Sequence, residues 1–283
     1  MLILFVSGVT AQVNPDTVLM QRIETKDGNE FIGTITYEDS EHIKILTENL
    51  GEITIPVSFI KSREKFSPAR IKEGKAWVQN YQDARYFWCP NGYGLNRGEA
   101  YYQNIWLFYN QVSYGVTRNF SVGAGIIPLF LIAGTPTPVW IVPKVSIPVV
   151  KNKFNMGVGA LVGTVLGAEK STFGILFGTG TFGSRDNNVT LGIGYGFVAD
   201  GWAEKPMINL IGMFRLSPKT YLLSENYYIN ADGENILIFI LGGRTITKRI
   251  GIDYGLLIPT SIGKFIAIPW LGLTVPLSKG RSK

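Results

Sequence analysis

Between Phe120 and Ser184 the chain carries only five charged residues, and four of them (Lys151, Lys153, Glu169 and Lys170) fall in turn-like segments. The stretches between, NMGVGALVGTVLG, TFGILFGTGTFGS and NVTLGIGYGFVADG, alternate apolar residues with glycine or small polar ones. Period-two alternation is the signature of half-buried strands. In a soluble sandwich the second face would carry charges to meet water. Here it carries glycine, serine, threonine and asparagine, which predicts a closed barrel with its apolar face outward and a small or polar interior.

Composition narrows the alternatives. Hydrophobic residues make up 46% and charged residues 17%, against about 25% charged in soluble domains. No apolar run approaches the ~18 residues of a spanning helix. A membrane chain without helical spans must close its strands into a barrel, because lipid satisfies no backbone groups. A very apolar soluble β-protein is the competing reading. The opening MLILFVSGVTAQ reads as the end of a secretory signal, residues 1–11, with Val9-Thr10-Ala11 before a cleavage point at Gln12. No Lys or Arg precedes its apolar core, so the signal reads as N-terminally truncated; a buried first strand is the alternative. Cys89 is the single cysteine, which excludes an internal disulfide and fits an exported envelope protein.

Residues 20–60 follow a different grammar. Short alternating runs are broken at Asp27-Gly28, Asp39-Ser40 and Leu50-Gly51, each a turn signal. Four strands are predicted, near 18–25, 30–37, 42–48 and 51–55, then a short segment at 56–60. The stretch DGNEFIGTI resembles the strand–turn–strand core of small SH3- or Sm-like barrels. Residues 1–70 hold 7 Lys+Arg against 10 Asp+Glu, a net −3, so the rest of the chain carries +9 of the total +6. An acidic front domain on an exported chain argues against nucleic acid. Residues 61–83, charged and then polar-aromatic, read as a linker between this domain (12–60) and the barrel (84–277); residues 278–283 form a basic tail.

Twelve barrel strands are predicted, near 84–93, 99–116, 120–133, 139–150, 154–166, 172–184, 189–199, 207–216, 221–230, 236–246, 250–259 and 265–277, with ten as the runner-up count. Bacterial single-chain barrels use even numbers. Short and longer connections alternate, as periplasmic turns and external loops do. Basic residues follow the short turns: Arg118, Lys151, Lys153, Arg185, Lys219, Lys248 and Arg249, with Lys279, Arg281 and Lys283 in the tail. Such turns suit the anionic headgroups of the inner leaflet. Pro128, Pro143, Pro148, Pro259, Pro269 and Pro276 stand against the scheme, since a closed barrel has no edge to hold them. Tyr101, Tyr102, Trp106, Trp140, Trp202, Tyr221 and Trp270 lie near strand ends and suit interfacial girdles.

The run WVQNYQDARYFWCPNGYGLNRGEAYYQN, with NQVSYGVTRNFSVGAG and PKVSIPVVKNKFNMGVGALVG, resembles uncharacterised outer-membrane β-barrel proteins of Bacteroidota, which often carry a small β-domain in front. The likeness covers about residues 77–200. It implies fold and location, with the front domain in the periplasm, and brings no activity.

Strand parity selects the inward polar residues. The apolar series Val139, Ile141, Val145, Ile147 puts Lys144 on the opposite face; Ile208, Leu210, Phe214 leave Asn209 and Arg215 inward; Ile250, Ile252, Tyr254, Leu256 leave Asp253 inward. Glu225 has no clear phase from Leu222 and Leu223 and is placed inward because a lipid-facing charge costs ~2–4 kcal/mol. Lys144, Asn209, Arg215, Glu225 and Asp253 are therefore the candidate lumen-lining residues. They either select solutes in a pore or pair and fill a narrow interior. His42, the one histidine, lies in the front domain, so the barrel lacks the histidine bases of membrane lipases and acyltransferases. No cofactor, metal or catalytic site is expected. Three roles follow: a structural or adaptor protein whose residues 12–60 meet a periplasmic protein partner while the barrel sits among outer-membrane lipids, a narrow passive channel, or a lipid-modifying enzyme, which the missing histidine disfavours.

Overall fold

The computed structural model describes residues 20–47, 50–66, 71–72, 75–231, 233–247, 249–260 and 265–278. The expected signal segment and all but Ser278 of the basic tail lie outside them, as do Lys248 and Lys264. The chain divides into two compact units, Met1–Trp77 and Val78–Lys283.

The first unit is an antiparallel sheet of β1 (Met20–Thr25), β2 (Glu30–Glu38), β3 (His42–Thr47), β4 (Gly51–Pro56) and β5 (Ile60–Phe66), in the order β4-β3-β2-β1-β5. Gly28 and Gly51 take the positive φ values, 89° and 70°, that the β1–β2 and β3–β4 turns require. Asp39 shapes the remaining hairpin by accepting the backbone N–H groups of Glu41 and His42. A single 3-10 turn, Val57–Phe59, carries the chain into β5, which pairs with β1. Ile23, Ile43, Ile45 and Ile55 form the core. The linker expected from residue 61 therefore begins instead as a strand. Its charges are cross-strand partners: Lys61 meets Glu24 at 2.7 Å and Arg63 meets Glu38 at 2.5 Å. A small hairpin, β6 (Ile71–Lys72) and β7 (Lys75–Ala76), follows.

The second unit is a closed twelve-stranded antiparallel barrel. Its strands are β8 (Ala100–Ile105), β9 (Tyr109–Gly115), β10 (Phe120–Ile126), β11 (Thr137–Val150), β12 (Phe154–Leu166), β13 (Phe173–Gly183), β14 (Asn187–Val198), β16 (Met207–Arg215), β17 (Thr220–Ala231), β18 (Glu234–Thr247), β19 (Ile250–Pro259) and β20 (Ile268–Pro276); β15 (Gly201–Trp202) is a two-residue extension in a loop. Each strand pairs with its sequence neighbour, and β20 closes on β8. β8 starts and β20 finishes at the end that holds the short turns 116–119, 151–153, 184–186 and 216–219. The longer links 127–136, 167–172, 199–206 and 260–267 are at the opposite end, but so are 106–108 and 232–233, so the expected alternation of short and longer links holds only in part.

The count of twelve hides two compensating differences. Residues 84–93 are not a strand but an irregular segment, and the single strand expected at 99–116 is the hairpin β8–β9. That hairpin turns at Trp106 and Leu107, both at positive φ (50° and 67°) with no glycine. Asparagines hold it instead: Asn104 accepts the Leu107 N–H at 3.3 Å, and Asn110 donates to the carbonyls of Leu107 and Phe108 at 3.0 Å. The prolines also find places. Pro128 opens a short helix, α1 (Pro128–Ile132), rather than ending a strand. Pro143 coincides with two missing rungs between β11 and β12, and Pro148 with a register irregularity. Pro259 and Pro276 are last residues of their strands.

Outward side chains are apolar and exposed. On β14, Val189, Leu191 and Ile193 face out while Asn188 and Thr190 are buried. Inward glycines leave room for large neighbours: a Cβ at Gly125 would strike the Trp140 ring at 2.2 Å, and one at Gly159 the Phe177 ring at 2.6 Å.

Candidate functional site in the barrel interior

The barrel interior is filled from the turn end by residues 78–95. Val78, Ala84, Arg85, Tyr86, Phe87, Tyr93 and Leu95 are buried there. An irregular segment has no ladder of its own, so its buried N–H and C=O groups need partners from elsewhere. Part of this demand is met locally: Asn91 donates to the Asp83 carbonyl at 2.8 Å and accepts the Tyr93 N–H at 2.9 Å. The wall supplies the rest.

All five candidate lumen residues point inward and meet this segment. Lys144 donates to the Tyr93 carbonyl at 2.6 Å. Glu225, fully buried, accepts the N–H groups of Trp88 and Cys89 at 3.1 and 3.0 Å and the hydroxyl of Tyr227. Asn209 donates to the Cys89 thiol at 3.4 Å. Arg215 donates to the carbonyls of Val78 and Pro218, both at 2.7 Å, and pairs with Asp186 at 3.0 Å. Asp253 binds Arg244 at 2.6 Å and Arg85 at 3.4 Å. Neither expected arrangement, an open ring or side chains pairing only among themselves, describes this geometry. The wall residues chiefly serve the backbone of an inserted segment.

Arg244 and Arg85 escaped the parity argument. Arg244 lies completely buried on β18, where it also donates to the Tyr86 carbonyl at 2.6 Å and the Gln82 carbonyl at 3.1 Å. Its signal was present in the register, since it sits directly opposite Asp253. Arg85 donates to the carbonyls of Tyr86 and Phe87 at 2.7 Å and to Gln82 and Thr274. Removing one partner of such a buried pair leaves an uncompensated charge, at a cost of about 3–5 kcal/mol. Arg185, expected to face lipid headgroups from its turn, instead pairs with Asp83 at 2.8 Å and stacks over Tyr93. Arg249 likewise lies over Tyr81.

The aromatic expectation needs a matching correction. Tyr101, Trp140, Tyr221 and Trp270 are buried inside the barrel; Trp106 and Trp202 are exposed. Trp140 has the parity of Lys144, and Tyr221 that of Glu225, so neither faces outward. Two aromatic clusters result, each joining buried or half-buried rings to an exposed tryptophan. Phe87 and Trp106 pack on Trp270 at 5.4 and 4.7 Å, and Trp88 and Trp140 pack on Tyr109 at 5.9 and 4.7 Å.

Above the inserted segment, toward the loop end, a cavity of about 500 Å³ remains. Its floor includes Cys89, Lys144 and Asn209, and its walls are mainly aliphatic and aromatic. Among the described residues no group of three His, Cys, Asp or Glu side chains gathers to hold a metal, and no helix is long and apolar enough to cross a membrane. Comparison with family models, with curated proteins and with solved structures returns no match.

Proposed function

We propose that this chain is an outer-membrane barrel of the kind it resembles in Bacteroidota, closed by its own segment 78–95, that anchors its front β-domain in the periplasm. In this reading the first unit is a small SH3/Sm-like domain that presents a surface to a periplasmic protein. The barrel is its attachment to the membrane. What supports anchoring over passive conduction is the filling of the lumen: Lys144, Arg215 and Glu225 all hold the backbone of the inserted segment. What supports the membrane is the exposed apolar belt, for example Ile141, Leu191, Leu210 and Leu256. A soluble barrel exposing these side chains would present an apolar patch far beyond the few hundred Å² usual for monomers.

The test is the conductance of the refolded full chain in planar bilayers. The anchor reading expects silence from the native chain and current only when the segment is loosened, as by Glu225→Ala with Arg244→Ala. Steady ohmic current from the native chain would return the channel reading.

A further inference from the structure

Three observations converge on the cavity at the loop end. Its size, about 500 Å³, falls within the ~300–1,000 Å³ of sites that enclose small ligands. Its upper walls are mainly carbon: Leu161, Ile175 and Phe177 on one side, Ile238, Leu257 and Trp270 on the other, the Trp270 ring N–H being the polar exception. Two of these walls depend on glycine, since Gly159 and Gly194 leave space for Phe177 and Ile175 to lie across the neighbouring strand.

The third observation is the floor. Lys144 is 5% exposed and lines the cavity. Its ammonium has three donors, and one is used, on the Tyr93 carbonyl. Among the described residues it has no carboxylate partner. Asp83 and Arg185 share its surroundings but pair with each other at 2.8 Å. The other deep cations differ: Arg85 and Arg244 hold Asp253, and Arg215 holds Asp186. Asn209 adds a buried amide oxygen without a donor on the same floor. A buried charge without a counter-ion is costly, and here the lysine that carries it borders a space of ligand size.

We infer that the loop-end half of the barrel binds a long-chain carboxylic acid, its carboxylate on Lys144 and its chain between the Phe177 and Trp270 walls. The acid supplies the counter-charge that the wall omits. Its chain gains about 0.8 kcal/mol of burial per methylene, which the aliphatic and aromatic walls provide. A protonated carboxyl, or a hydroxyl at the same place, would use the Asn209 oxygen but forgo the ionic contact.

The inference is tested with the full chain, refolded in detergent and read by native mass spectrometry against palmitate, hexadecanol and butyrate. Folded barrel is verified for each variant by its heat-modifiable gel mobility. The expected result is one palmitate per chain, at least about tenfold tighter than hexadecanol, since hydrogen bonds to charged groups carry roughly that factor, with butyrate unbound. Lys144→Met should bring acid and alcohol to near-equal affinity, and Leu161→Trp, which fills the chain space and leaves Lys144 intact, should abolish both. No palmitate adduct on the native chain would overturn the inference. So would an undiminished acid preference in Lys144→Met, or undiminished binding in Leu161→Trp. A two-chain phospholipid added to the refolded chain that binds and that palmitate fails to displace would also overturn it, since the occupant would then be a membrane lipid. Should Lys144→Met not fold, Lys144→Gln and Leu161→Trp carry the same comparison.

Discussion

Two units of one chain use the same alternation in opposite senses. In β1 of the front domain, Ile23 is fully buried and the residues between, Arg22 and Glu24, meet cross-strand ionic partners. In β14 of the barrel, Leu191 is exposed and Thr190 is fully buried. Period two says only that a strand has two unlike faces. Which face is covered depends on what the other is made of: charges on the front domain's outer face, glycine and hydroxyls on the barrel's inner one. The chemistry of the less apolar face, rather than the apolar face itself, separates the two units.

The largest effect expected from this contrast is in the barrel interior. Asp253→Ala strands Arg244 and Arg85 and should cost about 3–5 kcal/mol, measured as a lowered urea midpoint of the refolded barrel. An unchanged midpoint would mean that the buried pair contributes nothing. In the front domain, Ile45→Ala removes a fully buried side chain and should cost about 2–5 kcal/mol. Hydrogen exchange on the full chain should show the loss in β1–β5 and leave the barrel strands protected. Exchange rising equally in both units would break the division into two.

A charge on the barrel exterior comes next. Leu191→Arg should destabilise the barrel by about 2–4 kcal/mol in a bilayer, whereas a surface substitution such as Ser40→Arg, at an exposed turn of the front domain, should stay within about 0.5 kcal/mol. Equal costs at the two sites would erase the contrast. The smallest effect is a pH dependence within the front domain. The His42 N–H and then the Glu41 N–H hold the Asp39 carboxyl below its usual range, and hydrogen bonds from Lys61 and then Ser62 do the same for Glu24. Depressed carboxyl values give stability that is present above the unfolded values, about 4, and lost as pH falls through the folded ones. Exchange protection in β1 and β3 should therefore decline below about pH 4; protection that rises there would contradict the assigned hydrogen bonds.

How much of this was legible follows the same physics. The strand at 154–166 was readable to the residue because both of its faces are uniform. Lys144, Asn209, Arg215 and Asp253 were placed by parity for the same reason. Glu225 lacked a phase because β17 turns large residues inward, Tyr221, Leu223 and Tyr227, to meet the inserted segment. That segment was itself misread as a strand: its partners on the barrel wall, Lys144, Glu225 and Asp253 among them, lie 51 to 168 residues away, where no local pattern points. The β8–β9 turn was hidden for a local reason, since Trp106 and Leu107 adopt positive φ where Asn104 accepts the Leu107 N–H and Asn110 donates to the Leu107 carbonyl, with no glycine. Residues 61–66 were taken for the start of a linker because their charges look solvated, and the partners of Lys61 and Arg63 on β1 and β2 emerge only once the sheet has formed.

The central claim, that the barrel's apolar side chains face hydrocarbon, is tested most directly by a nitroxide scan of positions 188–193 in a Cys89→Ser background reconstituted in bilayers. The account predicts that collision with oxygen peaks at 189, 191 and 193 and falls at 188, 190 and 192. A flat profile, or maxima at the even positions, would contradict it.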